Sequence, residues 1–263
     1  MNKPSVLIIG FGVVGHNLYR ELFQISPITK ESPLIVHIYD KYKGLNNKGL
    51  DHYDLAFICV DTPATDDTTC DISEVANAIT ENDADIFVIK STILPKQAQI
   101  LSLIPDKHIV FSPEYYGATQ HCNNYNFNFT ILGGEKADCV KVIQILQKIY
   151  DASHQFRITD LKTACLAKYM ENSYLAMKVS FCNQFYDIAE QEGVCYEELR
   201  ELFVMDPRVD PSHTFVYRDT PYWDSHCLNK DVKAISYEYL ADLLKGIVDY
   251  NDRRKSGTEE HDA

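Results

Sequence analysis

The most constraining feature of this chain lies within its first fifteen residues. Val6–Ile9 is an aliphatic run with no polar alternation, as expected of a strand buried on both faces of a parallel sheet. Gly10-Phe11-Gly12-Val13-Val14-Gly15 follows without a spacer, and His16–Phe23 then reads as a helix. Each glycine has a task in such a strand–turn–helix. Gly10 permits the tight turn, Gly12 lets backbone approach a pyrophosphate, and Gly15 lets the helix pack close to the strand. The helix start offers free N–H groups and a partial positive charge to phosphate.

The neighbouring pattern fits a Rossmann-like, doubly wound parallel sheet that binds NAD. Leu34–Tyr39 reads as a second strand, with Asp40 at its carboxyl end to accept the hydroxyls of the adenosine ribose and disfavour a 2′-phosphate. The gap of 25 residues from Gly15 to Asp40 is long, and Pro27 and Pro33 bracket the extra loop. Lys41 and Lys43 lie beside the acid and temper the preference for NAD over NADP. Further strands are expected at Leu55–Val60, Ile86–Ile89, His108–Phe111 and Phe129–Gly133, and helices at Ile72–Thr80, Lys96–Leu103 and Lys136–Tyr150. Polar motifs close three of these strands: Asp61-Thr62-Pro63, Lys90-Ser91-Thr92 and Ser112-Pro113-Glu114. In a doubly wound sheet the ligand lies off those carboxyl ends.

Beyond a loop at Asp151–Thr159 the pattern becomes helical. Asp160 is a suitable N-cap for a long helix ended by Gly193, with Leu161, Cys165, Leu175, Val179 and Phe181 on its apolar face. Lys168 and Asn172, four apart, share one face; on spacing alone a surface pair on a solvated face is the commoner case. A helix at Tyr196–Met205 leads into Asp206-Pro207-Arg208 and an irregular stretch rich in Pro and Tyr. Ser225-His226-Cys227-Leu228-Asn229-Lys230-Asp231 then opens a final helix to about Arg254. A cysteine at a helix start, with a lysine three residues on, is placed for a lowered pKa and is a candidate nucleophile; a buried inert thiol is the alternative. The expected organisation is a dinucleotide domain over residues 1–155, a helical dimerisation and substrate domain over 156–255, and a frayed polar tail over 256–263.

Composition narrows the function classes. A net charge of −13 in 263 residues provides no basic stripe for nucleic acid. No apolar stretch approaches the ~20 residues that span a membrane, and there is no internal repeat or low-complexity segment. The eight cysteines form no C-x-x-C pair, so no metal site is expected. Cys59, Cys139 and Cys165 sit in apolar runs and read as core residues. Unpatterned thiols, and a first strand running straight into the glycine turn rather than a cleavage site, point to a reduced, cytoplasmic protein.

Taken in order, the motifs resemble the UDP-glucose/GDP-mannose dehydrogenase family. The resemblance runs from about Ser5 to Lys255 and includes the glycine turn, Val60-Asp61-Thr62-Pro63, Lys90-Ser91-Thr92 and Ser112-Pro113-Glu114. It continues through Ala167-Lys168 to Asn172, the run Met177–Asn183, Asp206-Pro207-Arg208 and Cys227-Leu228-Asn229-Lys230-Asp231. It implies a four-electron oxidation of a nucleotide-sugar alcohol to a carboxylate with two NAD. By resemblance, Cys227 is the nucleophile, Lys168 steadies the oxyanion and Asn172 holds substrate beside it. Asp231 and Thr92 position water or move protons, and Glu114 assists thioester hydrolysis. Thr62 and Lys230 lie along the NAD, and Arg208 lies in the substrate loop. The family's packing implies a homodimer through the last helix, whose apolar positions Val232, Ile235, Tyr239, Leu243 and Ile247 recur at helical spacing.

Four departures stand out. The family's second glutamate, four residues after the first, is Ala118 here. The glycine-rich loop before the cysteine is Tyr222-Trp223-Asp224-Ser225-His226, and the proline between cysteine and lysine is Asn229. The sequence also reads as a short form without the family's C-terminal nucleotide-binding domain. Two other readings are therefore kept: a two-electron β-hydroxyacid-type dehydrogenase using Lys168 and Asn172, and a non-catalytic NAD-binding dimerisation module.

Overall fold

The structure is a computed structural model that describes residues 3–23, 32–65, 69–115 and 127–259. Pro27 and Ala118, singled out in the sequence, lie outside the described residues. The chain divides into two compact units: Met1–Pro63 with Cys70–Lys168, and Ala64–Thr69 with Tyr169–Ala263.

The first unit is built on an eight-stranded sheet. In chain order its strands are β1 (Ser5–Ile9), β2 (Ile35–Asp40), β3 (Leu45–Asn47), β4 (Tyr53–Ile58), β5 (Ala84–Ile89), β6 (Ile109–Phe111), β7 (Phe129–Gly134) and β8 (Gln155–Thr159). They are arranged β3-β2-β1-β4-β5-β6-β7-β8. The pairings from β2 through β1, β4 and β5 to β6 are parallel; β3 and β7 join antiparallel, and β8 runs parallel to β7. The helices are α1 (Val13–Leu22), α2 (Ser73–Thr80), α3 (Pro95–Leu101), α4 (Lys136–Leu146) and the first two turns of α5 (Leu161–Glu192).

Alternate residues of each central strand face opposite layers, which is what buries both faces of the sheet. Leu7, Ala56, Ile58, Phe87, Ile89 and Phe111 pack under α2, α3 and the start of α5 through Val75, Ile79, Ala98, Leu101 and Ala164. Ile8, Leu55, Phe57, Val88 and Val110 pack under α1 and α4 through Leu18, Leu22, Cys139, Val142 and Leu146. The expected doubly wound sheet is therefore present. Cys59, Cys139 and Cys165 are buried as expected, and burial pushes their thiols up to about 12, 11 and 12. Two strands were not expected: the exposed edge β3, and β8, which occupies the segment read as a loop.

The second unit holds the rest of α5, then α6 (Tyr196–Phe203), α7 (His226–Glu238) and α8 (Asp242–Glu259). Asp160 caps α5, accepting the Thr163 N–H at 3.0 Å, and Gly193 ends it at φ +69°. The single final helix expected from Asp231 to Arg254 is two helices, broken where Leu240 adopts φ +50°. The helix also continues through the segment read as a frayed tail, to Glu259. Val232, Ile247 and Val248 pack with Ala176 and Trp223 in the core of this unit, whereas Tyr239 and Leu243 of the same sequence stripe are exposed. Phe181, expected on the buried face of α5, is 48% exposed. No helix among the described residues is long and apolar enough to cross a membrane.

The glycine turn is the tightest point of the first unit. Gly10 has φ +87°, and a Cβ there would lie 2.6 Å from the Cys59 carbonyl oxygen. A Cβ on Gly15 would collide with the Gly10 carbonyl. Gly15→Ala is expected to cost about 1–3 kcal/mol through forced separation of α1 from β1. Equilibrium urea denaturation measures it, and a midpoint unchanged from wild type would contradict the crowding.

Candidate active site

The dinucleotide end of the first unit is ordered by one carboxylate. Asp40 Oδ2 accepts the Phe11 N–H at 2.8 Å, and Oδ1 accepts the Tyr42 and Lys43 N–H groups at 3.0 and 3.1 Å. Lys43 Nζ donates to the Phe11 carbonyl at 2.6 Å, whereas Lys41 pairs with Glu74 at 2.7 Å. Of the two lysines flanking the acid, only Lys43 thus reaches the glycine turn. Asp40 was expected to grip ribose; its observed contacts fix the turn that would receive the pyrophosphate.

The turn fits a dinucleotide. Gly12 is the N-cap of α1, has no side-chain cap, and a Cβ on it would meet nothing within 4 Å. Open space therefore faces the first-turn amides of the helix, where phosphate is favoured. Val13 beside it is 61% exposed, while Val14 packs into the core.

The carboxyl ends of β4, β5 and β6 are stitched together by the motifs that follow them. Thr62, 3% exposed, donates its hydroxyl to the Thr92 carbonyl at 3.0 Å. Ser91 Oγ donates to the Val60 carbonyl at 2.6 Å. Lys90 Nζ lies 3.4 Å from Glu114 Oε2, both side chains nearly buried. Glu114 Oε1 accepts the Tyr115 N–H at 2.7 Å, and Lys168 Nζ sits 5.0 Å above the Tyr115 ring. Glu114 and Lys168 therefore flank one tyrosine.

A second, half-buried carboxyl stands close by, which sequence reasoning missed. Glu21 of α1 accepts the Tyr150 hydroxyl at 2.6 Å. Burial pushes the Glu21 carboxyl up, the Tyr150 bond and Lys90 oppose this, and the charge of Glu114 adds to it. Burial and Glu21 push the Tyr150 phenol up as well, keeping it a donor. Pattern reading gives no signal for such a pair, whose members are 129 residues apart.

The second unit carries the rest of the predicted set. Asn172 of α5 is 3% exposed, so the solvated-face reading fails. Its Nδ2 donates to Asp231 Oδ2 at 2.7 Å, and Lys230 Nζ meets Asp231 Oδ1 at 2.7 Å. Both carboxylate oxygens are thus held, at 1% side-chain exposure. Lys230, expected along the dinucleotide, is here the counter-ion of Asp231. Cys227 is exposed in the first turn of α7, whose N-cap Ser225 accepts the Leu228 N–H at 3.1 Å. Arg208 is 87% exposed at its side chain and folds onto Asp206 at 2.6 Å.

Two outcomes check these arrangements. Lys230→Met leaves a buried carboxylate without its cation and is expected to lower stability by roughly 3–5 kcal/mol. Adding Asp231→Leu should recover most of that loss; a double variant as unstable as the single one would refute the pairing. For Glu21 the folded state favours the neutral carboxyl, so stability falls as pH rises from the ordinary carboxylate range through the raised folded value. Glu21→Gln, which keeps an acceptor for Tyr150, should match wild type at acid pH and exceed it above that window, as read from urea midpoints across a pH series.

Comparison with known proteins places this geometry in a family. Residues 39–154 match the UDP-glucose/GDP-mannose dehydrogenase family, NAD binding domain, and residues 162–253 match the central domain of the same family. A UDP-glucose 6-dehydrogenase of Rickettsia felis is 26% identical over 96% of this chain and 62% of its own length. A UDP-N-acetyl-D-mannosamine dehydrogenase of Methanocaldococcus jannaschii is 27% identical over 86% of this chain and 56% of its own length. This chain thus spans about three fifths of those relatives. The solved UDP-glucose dehydrogenase of Pyrobaculum islandicum shares the fold, with a TM-score of 0.76 at 19% identity over 96% of this chain and 68% of that one. This chain belongs to the UDP-glucose/GDP-mannose dehydrogenase family and carries its NAD-binding and central domains.

Proposed function

We propose that this chain carries the catalytic machinery of a nucleotide-sugar 6-dehydrogenase that takes a UDP-glucose-like substrate from C6 alcohol to uronate in two hydride transfers. One observation carries the reading. An exposed thiol, Cys227, opens the helix whose second turn holds Asp231 hydrogen-bonded to Asn172. A structural cysteine would be buried like Cys59, Cys139 and Cys165.

NAD, when bound, supplies the two-electron acceptor for each oxidation. The residues do the rest. As the first hydride leaves C6, the hydroxyl proton passes to water, a step that the family resemblance assigns to Asp231 and Thr92, giving the aldehyde. The Cys227 thiolate adds to the aldehyde carbon; a C–S bond forms and the carbonyl pair moves onto oxygen, a charge that the family resemblance assigns to the Lys168 ammonium to balance. Loss of the second hydride from that carbon restores the carbonyl as a thioester. Glu114 then takes a proton from water, which attacks the thioester carbon, and Cys227 leaves as thiolate. Gly10, Phe11, Gly12, Val13, Val14 and Gly15 cradle the pyrophosphate, with Asp40 fixing the turn and Thr62 bordering the dinucleotide. Arg208 is assigned to the substrate loop.

The protein is read as cytoplasmic, from cysteines that form no C-x-x-C pair or other disulfide pattern in the sequence. A homodimer through the last helix would cover Tyr239 and Leu243, exposed at 46% and 70%.

The test supplies NAD with a panel of UDP-, GDP- and dTDP-sugars, including UDP-glucose and UDP-N-acetylmannosamine, and counts NADH per substrate consumed. Wild type should release two. Cys227→Ser should release no more than one and leave an aldehyde that semicarbazide traps. One NADH per substrate from wild type, unchanged in Cys227→Ser, would instead assign the two-electron reaction with Lys168 and Asn172.

A further inference from the structure

The segment that leads into Cys227 contains no glycine between Pro221 and Ser225, and it is held by side chains from two helices of its own unit. Trp223 is 4% exposed and Asn251 of α8 is 2% exposed. The Asn251 amide engages both backbone groups of Trp223, accepting its N–H at 2.8 Å and donating to its carbonyl at 3.0 Å. The Trp223 indole N–H donates to Ser180 Oγ of α5 at 3.0 Å. Arg254 Nε donates to the Pro221 carbonyl at 2.6 Å, and its guanidinium is ion-paired with Asp187 of α5. One residue past Trp223, Asp224 Oδ1 accepts Asn229 Nδ2 at 2.6 Å, tying the segment back to the first turns of α7. Next comes Ser225, the N-cap of the helix that carries Cys227.

We propose that Asn251 is a positioning residue for Cys227: by gripping both backbone groups of Trp223 it fixes the turn that caps α7 and so sets where the thiol stands. The physical reason is that Trp223 N–H and C=O are buried, and buried backbone groups left unmade are costly. Without the amide the segment must move to reach other partners. Three residues separate Trp223 from Cys227, and the cap lies among them, so the movement reaches the thiol. A displacement of about 1 Å in a reacting group can cost on the order of 10²-fold in rate. The same logic assigns Asn229 a role: where it stands, its amide couples Asp224 to the helix.

The functional consequence rests on Cys227 being the nucleophile, so two independent readouts are used on the 263-residue chain. The first is iodoacetamide labelling at neutral pH with each cysteine mapped by mass spectrometry, Cys195 serving as an internal reference, being likewise exposed. Cys227 is already exposed, so loosening the turn offers no gain in access and loses the field of an ordered helix start. Asn251→Ala should lower the Cys227-to-Cys195 labelling ratio by about threefold or more, and Asn251→Asp, which keeps the acceptor, by less. The second readout is NADH released per UDP-glucose consumed. Asn251→Ala should lose the second hydride transfer selectively, the count falling from two toward one with semicarbazide-trapped aldehyde, whereas general destabilisation would slow both transfers equally. Should Asn251→Ala fail to fold, Ser180→Ala, which removes only the indole partner, carries the same expectation at smaller size. An unchanged labelling ratio in a folded variant overturns the proposal. Full activity of Cys227→Ser overturns the nucleophile reading alone, and the labelling result then decides the positioning by itself.

Discussion

The close approach of backbone to backbone at the β1–α1 turn is the constraint on which the first unit depends. Gly10 lies against the Cys59 carbonyl and Gly15 against Gly10, so β1, the end of β4 and the start of α1 meet without side chains between them. Asp40 then ties this point to the end of β2 through the Phe11 N–H. Three strand ends are thereby fixed relative to one helix start. The packing of Leu18 and Leu22 into the sheet follows from that spacing, as does the open face above Gly12. Any Cβ at Gly10 or Gly15 would widen the whole arrangement, because neither contact is with a flexible side-chain end.

Buried charge follows one pattern in both units. Glu114 is paired with Lys90, and Asp231 with Lys230 and Asn172. Removing a carboxylate from water is costly unless a cation and hydrogen bonds compensate it. Each carboxylate assigned a proton-handling task thus stands with its cation beside it. Glu21 differs, having a phenol as its hydrogen-bond partner, and burial drives it toward the neutral form. Two carboxyls within electrostatic reach, one held beside a lysine and one biased neutral, avoid placing two full negative charges in one buried region.

The strands that bury two faces were legible because their composition is unambiguous: Val6–Ile9 and Ile86–Ile89 are aliphatic or aromatic throughout. The edges were not. β3 is Leu45-Asn46-Asn47, exposed along its length, and exists because β2 offers an unpaired backbone edge rather than because of its own residues. β8 alternates, but Ile158 is 38% exposed, so little burial marks it as a strand. The break between α7 and α8 falls on Tyr239-Leu240-Ala241, which contains neither Gly nor Pro; the left-handed Leu240 leaves no compositional trace. For the site, motif order pointed to Lys168, Asn172, Cys227 and Asp231, but it could not say that Lys230 holds Asp231. A lysine next to an aspartate in sequence is ordinarily solvated, and only tertiary burial turns the pair into a structural unit.

That commitment of lysines bears on how an acidic chain handles phosphate. With a net charge of −13, the average field opposes a dinucleotide or a nucleotide diphosphate. Two of the buried ammonium groups, Lys90 and Lys230, stand against carboxylates and carry little net charge toward an incoming anion. With the pyrophosphate at the glycine turn, as proposed, its recognition falls chiefly on backbone: the uncapped first turn of α1, where partial charge is supplied by aligned amides and needs no counter-ion. Lys43 at the Phe11 carbonyl adds one cation at the rim of that turn. Backbone amides hold their direction, whereas lysine side chains would have to be ordered on binding. A site built this way trades charge for geometry, which is why the two crowded glycines matter more to phosphate binding here than the chain's overall charge.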